Sequence, residues 1–130
     1  DRVMAKFGLG NLEAGLLAFE GDVHKQAKLI VRKIALDVFR GAVDRSPVIS
    51  GLLKGSWNVG VNVEEKQLGD GAGASGKRFA QQIGKFKLGD TIVISNPVEY
   101  AEYVENGTPK MAPRKMLLSS AIAVRESLGE

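Results

Sequence analysis

The segment DRSPVISGLLKGSWNVGV, residues 44–61, is where the sequence changes from a helical to a strand pattern. Ser46-Pro47 predicts the end of a helix, because proline disfavours the helical conformation in the residue before it. Ser50 can cap a short helical turn over GLLKG. From residue 56 the apolar period is two, which predicts a half-buried strand. Its apolar face would carry Trp57, Val59, Val61 and Val63, opposite Ser56, Asn58, Gly60 and Asn62.

The residues before this segment have the strongest helical pattern in the chain. Asp22 is a suitable cap for a helix over roughly 23–44. Apolar residues recur there at spacings of three or four and predict one buried face: Val23, Ala27, Ile30, Ile34, Val38 and Ala42, widened by Leu29, Leu36, Phe39 and Val43. So wide a stripe predicts packing against a sheet and a further element or subunit. Further upstream, VMAKFGL (3–9) predicts a short edge strand and NLEAGLLAF (11–19) a short helix.

The second half of the chain completes a predicted α+β fold. TIVIS, residues 91–95, predicts a β-branched strand. PVEYAEYVENG, residues 97–107, predicts a short helix, capped by Asn96. Pro113 begins a last helix to about residue 128, with an inward face of Leu117, Ala121, Val124 and Leu128. We expect one domain over 1–130, in which the long helix and the C-terminal helix pack on a small, mostly antiparallel sheet.

Residues 66–90, between the two strands, are rich in glycine and basic residues and predict a flexible insertion loop. Within it, KRFAQQIGKF (77–86) has the pattern for one or two helical turns. The loop is expected to be disordered in a free subunit and ordered against a partner. GAGASGKR, residues 71–78, resembles a phosphate-binding loop, but Arg78 stands where Ser or Thr would hold magnesium, so no nucleotide site is predicted.

The chain offers little for catalysis. It has no cysteine, and His24 is its single histidine. The carboxylates Glu99, Glu102 and Glu105 indicate a solvated helix face better than a catalytic pair. We therefore expect no enzyme activity, no catalytic residue, no cofactor and no metal. No apolar run approaches the roughly 20 residues that cross a bilayer, so a membrane partner is not expected either.

A net charge of +3 leaves two kinds of partner open. Basic and aromatic residues alternate in the insertion: Lys77, Arg78, Phe79, Lys85, Phe86 and Lys87. They fit a small basic nucleic-acid-binding module, although the signatures of the common RNA- and DNA-binding domains are missing. A loop ordered by a neighbouring protein explains them about as well.

Two segments resemble one known family. Residues 44–61 are similar to its pattern aP-x-x-(T/S)-G-x-L-(K/R)-x-S. Residues 96–121, NPVEYAEYVENGTPKMAPRKMLLSSA, are similar to YA-x-x-VE-x-GT followed by P-x-x-x-(F/M)-L-x-x-A. The family comprises the small tail-component or neck proteins of long-tailed double-stranded DNA phages. The order of elements also agrees, whereas the glycine-rich insertion departs from the pattern, and at Met116 a phenylalanine is commoner.

The resemblance implies a non-enzymatic structural protein of the virion, made in the host cytoplasm. Such proteins form rings, usually hexamers, at the head–tail junction. Their partners are the adjacent head-closure, tail-terminator or tail-tube proteins, and genomic DNA passes through the ring without sequence-specific binding. A closed ring needs two different contact surfaces on each subunit. We assign the predicted subunit and partner interface to Tyr103, Glu105, Lys110 and Arg114, and to Lys77, Arg78, Phe79 and Phe86.

Overall fold

The computed structural model describes residues 3–8, 23–48 and 51–128, and confirms an α+β architecture. The described strands are β1 (Val3–Gly8), β2 (Asn58–Val61) and β3 (Thr91–Asn96). The described helices are α1 (Val23–Arg45), α2 (Leu52–Gly55), α3 (Gly71–Ile83), α4 (Ala101–Asn106) and α5 (Met116–Leu128). The helix predicted over 11–19 lies outside the described residues. No helix in the described ranges is long and apolar enough to span a bilayer.

The three strands form one antiparallel sheet in the order β1-β3-β2. The last strand in the chain, β3, is central, and β1 is the edge strand that the sequence predicts. Val59 lies opposite Ile94, and both are fully buried. They belong to the same apolar cluster as Val31 and Phe39 of α1. One face of the sheet therefore forms the main core together with the long helix.

Helix α1 has nearly the predicted bounds, and Ala27, Val38, Phe39, Ala42 and Val43 of its predicted face are buried, but part of that face is not. Val31 and Ala35 are completely buried, whereas Leu29 and Ile30 are 56% and 42% exposed. The prediction that Ile30 faces inward is therefore wrong. The predicted apolar stripe is wider than the face that is buried, and α1 packs against both α5 and α3.

Strand β2 is buried on both faces, not on one as predicted. The side chains of Ser56 and Asn58 are 0% and 1% exposed, because residues 64–69 cover them. The Asn58 amide donates to the Gln67 carbonyl (2.8 Å) and accepts from the Gln67 N–H (3.2 Å). The Gly69 N–H donates to the Ser56 hydroxyl at 3.2 Å. The two polar side chains are thus satisfied by the backbone of this segment.

The prediction of a flexible loop over 66–90 is wrong, because this region contains the 13-residue helix α3. The helix packs on β2, α2 and α1. The Ser75 hydroxyl accepts from the Trp57 N–H (3.1 Å) and donates to the Lys54 carbonyl (2.6 Å). Glycine serves here for close backbone contact: a Cβ at Gly55 would lie 2.5 Å from the carbonyl carbon of Gly69.

Helix α5 begins at Met116, three residues after the predicted start, and packs along α1. Met116, Leu117 and Ser120 are buried, whereas Leu128 is 59% exposed, contrary to its predicted inward position. The two helices approach closely at Gly41, where a Cβ would lie 2.7 Å from the Ser120 hydroxyl. The N-terminal half of α5 therefore supplies most of its buried contact with the core.

A pair of glycine substitutions tests the packing of the glycine-rich region. Gly55→Ala places a methyl group against the Gly69 backbone and is expected to destabilise the protein by about 2 kcal/mol or more. Gly76→Ala, in α3 with no atom within 4 Å of the new Cβ, is the control and should stabilise by about 0.5–1 kcal/mol. Urea unfolding measures both changes. Equal, small effects would contradict the packed arrangement of residues 64–83.

Candidate assembly surface

The two sequence motifs meet at the hydroxyl group of Ser46. The indole N–H of Trp57 donates to it at 2.7 Å. The hydroxyl in turn lies 2.8 Å from the Ala42 carbonyl and 3.3 Å from the Met116 sulfur. Ser46 is 3% exposed, and both Trp57 and Met116 are completely buried. The end of α1, the entry to β2 and the start of α5 are therefore held at one point.

The carboxylate of Glu105 caps the N-terminus of α5. It accepts the Leu117 and Leu118 N–H groups, one on each oxygen, both at 3.0 Å. These N–H groups have no partner within their own helix, and the helix dipole favours a negative charge beside them. Glu105 is only 8% exposed, so the side chain that the sequence predicts at an interface instead joins α4 to α5.

The residues between these two helices, 108–115, form a loop whose backbone is fixed at both ends. At its start, Thr108 and Met111 exchange two backbone hydrogen bonds of 2.8 and 3.1 Å. At its end, the Arg114 N–H donates to the Val104 carbonyl (2.7 Å) and the Lys115 N–H to the Glu105 carbonyl (3.0 Å). We call residues 108–115 the tip loop.

Gly107 makes the sharp turn into the tip loop. Its φ is +80°, and a Cβ there would lie 2.8 Å from the Pro113 nitrogen and 2.9 Å from the Met111 carbonyl oxygen. Only glycine adopts this positive φ readily and has no Cβ to clash with these atoms. Lys115 also has a positive φ, 49°, which is unfavourable for a residue with a side chain. The surrounding structure therefore holds the backbone of Lys115, a cationic residue, in a strained conformation at the end of the loop.

All eight residues of the tip loop are exposed. Its charged residues are the three cations Lys110, Arg114 and Lys115. Met111 adds an apolar side chain that is 41% exposed. A surface loop with a fixed backbone and few buried side chains is suited to contact with another molecule.

Beside the tip loop, α4 and the turn before it present a second surface. Tyr103 is 57% exposed, Glu99 and Asn106 are exposed, and Glu102 is half-buried. We call these four residues the acidic face. Val104 and Ala101 occupy the opposite side of the helix and are buried in the core. The surface therefore combines an aromatic ring with two carboxylates, next to a loop of the opposite charge.

The predicted interface residues separate into two groups. Tyr103, Lys110, Arg114 and Lys77 lie at the surface. Glu105, Arg78, Phe79 and Phe86 are buried, with exposures of 8%, 8%, 6% and 1%. For these four the expectation of a surface position is wrong, because each has a partner inside the subunit.

The buried residues of the insertion hold α3 in place. The Phe79 ring packs on Phe39 with a centroid distance of 4.9 Å. The guanidinium of Arg78 donates to the carbonyls of Gly55 and Trp57. Burial lowers the pKa of Arg78, although a guanidinium remains protonated at any ordinary pH. Its charge is compensated by backbone carbonyls and is not available to an outside partner.

Sequence reasoning placed Lys115 at the surface, as observed, but missed Met111 as an exposed part of the tip loop and missed the cap formed by Glu105. The spacing of Pro109 and Pro113 indicates a stiff loop, but it does not reveal which backbone groups fix it. The cap joins Glu105 to residues 12 and 13 positions later in the chain, and helical periodicity does not indicate a contact at that separation.

These features define a small α+β fold with an exposed loop whose backbone is fixed by hydrogen bonds. Residues 11–107, about three quarters of the chain, match the model of the family described as "Bacteriophage HK97-gp10, putative tail-component". The chain belongs to this family of phage tail components, which confirms the resemblance seen in the two motifs. The match ends just before the tip loop. Neither a curated protein nor a solved structure matches the chain.

The cap on α5 yields a stability prediction. Glu105→Ala leaves one buried and one partly buried N–H group without an acceptor and should destabilise the protein by about 1–3 kcal/mol. Glu105→Gln retains one acceptor oxygen and should lose roughly half as much. Glu102→Ala, in the same helix but without a hydrogen bond to any residue in the described ranges, is the control, expected within about 0.5 kcal/mol of the parent. Chemical denaturation that ranks Glu105→Ala equal to this control would contradict the capping role.

Proposed function

We propose that this tail component is a ring-forming subunit of the phage neck or tail. It would act by assembly, as a tail-completion or head–tail connector protein, and not by catalysis. The observation that carries the proposal is the tip loop. Its eight consecutive residues are exposed, and hydrogen bonds to α4 and between α4 and α5 fix its backbone.

A loop with this construction suits protein assembly for an entropic reason. Ordering a mobile loop at an interface costs free energy that is subtracted from the binding energy. The hydrogen bonds of residues 108–115 meet this cost when the subunit folds, before any partner is present. Tyr103, exposed beside the loop, supplies contact area with few rotatable bonds. Desolvated tyrosine and arginine side chains are frequent among the residues that dominate binding energy.

The partners follow from the same proposal. Other copies of this chain would complete a ring, for which a hexamer is the expected size, and the ring would join the adjacent head-closure, tail-terminator or tail-tube protein. Genomic DNA would pass through the ring without sequence-specific contact. The site of action is the virion, after assembly in the host cytoplasm.

The alternative function, a small basic nucleic-acid-binding module, loses its main support. It depends on aromatic rings that could stack on bases next to lysine and arginine side chains. Phe79 and Phe86 are buried in the core, and Arg78 is committed to carbonyls of the subunit. The exposed lysines that remain on this region do not amount to a base-binding surface.

Two alanine substitutions test the proposed function. Tyr103→Ala and Arg114→Ala should leave the subunit folded, because both side chains are exposed, yet should block the joining of heads to tails. The matched controls are Leu128→Ala and Arg125→Ala, at exposed positions near the far end of α5. A phage that lacks this gene is complemented with each variant, and the particles are counted by electron microscopy.

The expected failure is an accumulation of separate filled heads and free tails with Tyr103→Ala or Arg114→Ala, and normal particles with both controls. Thermal unfolding of the purified variants should stay within a few degrees of the parent. Infectious particles in normal number from both test variants would show that Tyr103 and Arg114 do not belong to the assembly surface.

A further inference from the structure

We infer that the tip loop of one copy packs against the acidic face of the next copy in the assembly. This inference rests on the proposed function, since it supposes that copies of the chain contact one another. The inference adds to the proposed function which two surfaces of the chain meet. The first surface is basic and centred on Lys110, Met111 and Arg114; the second is acidic and centred on Glu99, Glu102 and Tyr103.

The charges of the two surfaces are complementary and form no ion pair within the described ranges, although the Arg114 guanidinium donates to the Arg45 carbonyl at 3.4 Å. Among the described residues, Lys33 and Asp37 form an ion pair at 2.7 Å. Glu99, Glu102, Lys110 and Lys115 form none with any residue of the described ranges. Two adjacent surfaces of opposite sign therefore remain available for contact between copies, and such complementarity selects partner and register.

Each surface also has an apolar side chain that the subunit leaves exposed. Tyr103 is 57% exposed on the acidic face, and Met111 is 41% exposed on the tip loop. A methionine sulfur at the edge of an aromatic ring is a favourable contact, and methionine adapts its shape to the partner. Tyr103 and Met111 thus provide an apolar centre, and the charges provide a rim, which is the usual arrangement of a protein interface.

The tip loop lies beside the acidic face of its own subunit but does not cover Tyr103. The Thr108–Met111 pair and the bonds from Arg114 and Lys115 to α4 carbonyls determine the course of the loop. In this arrangement Tyr103 and Met111 both remain exposed, so the loop does not cover the ring in cis. A second copy can supply the contact that the fold of one chain does not make.

Charge reversal on each surface tests the pairing. The first variant is Glu99→Lys with Glu102→Lys, the second is Lys110→Glu with Arg114→Glu, and the third combines all four substitutions. Native mass spectrometry and sedimentation velocity measure the assembly of the purified full chain, and circular dichroism checks folding. Each double variant alone should assemble about 100-fold or more weakly than the parent, because like charges then face each other.

The combined variant and an equimolar mixture of the two double variants should both assemble, since opposite charges again face each other. Assembly of the parent and of both double variants to the same size would overturn the pairing and leave the ring intact. Loss of assembly without recovery in the combined variant and in the mixture would also overturn it. A parent chain that stays monomeric at every concentration would contradict the proposed ring itself.

Discussion

The buried hydroxyl group of Ser46 is the point on which the arrangement of this subunit depends. It accepts the indole N–H of Trp57 at 2.7 Å and lies 3.3 Å from the Met116 sulfur, so it links the end of α1 to the entry of β2 and to the start of α5. Pro47 ends α1 directly after it. A larger or apolar side chain at this position would leave the buried indole N–H without an acceptor.

The consequences of this contact extend to the surface. Met116 is fixed at the start of α5, where the carboxylate of Glu105 receives the first free N–H groups of the helix. A second connection between the two motifs runs through Asn96, whose amide donates to the Leu53 carbonyl at 2.9 Å. With α4 and α5 both attached to the core, the loop between them has a defined course. The subunit can therefore expose eight residues in a row without losing their conformation.

Local sequence patterns predict the elements of this fold well and their contacts poorly. The period of the apolar residues predicts α1, β2 and β3, and places β1 at the sheet edge. The same periodicity places Ile30 on the buried face of α1, whereas Val31 is buried and Ile30 is 42% exposed. Glycine-rich composition suggests a mobile loop over 66–90, but Gly55 and Gly69 allow two backbone segments to touch, and Ser75 and Arg78 then attach α3 to that backbone.

The same limit applies to the candidate site. Amphipathic spacing and proline-stiffened surroundings are local properties. They predict Tyr103, Lys110 and Arg114 at the interface, and the structure places all three at the surface. Glu105 and Phe86 lie in segments with similar local patterns, but both are buried by contacts with residues that are remote in the sequence. A single sequence carries no direct signal for such pairs.

Amide hydrogen exchange of the isolated subunit tests most directly whether the tip loop is structured before assembly. The amides of Thr108, Met111, Arg114, Lys115, Leu117 and Leu118 donate within the subunit and should exchange at least about 100-fold more slowly than in a disordered chain. The side chains of residues 108–115 are exposed, so protection of the four loop amides would come from backbone hydrogen bonds, whereas Leu117 and Leu118 donate to the Glu105 carboxylate. Exchange of these six amides at the rate of a disordered chain, while the amides of β3 stay protected, would contradict the account.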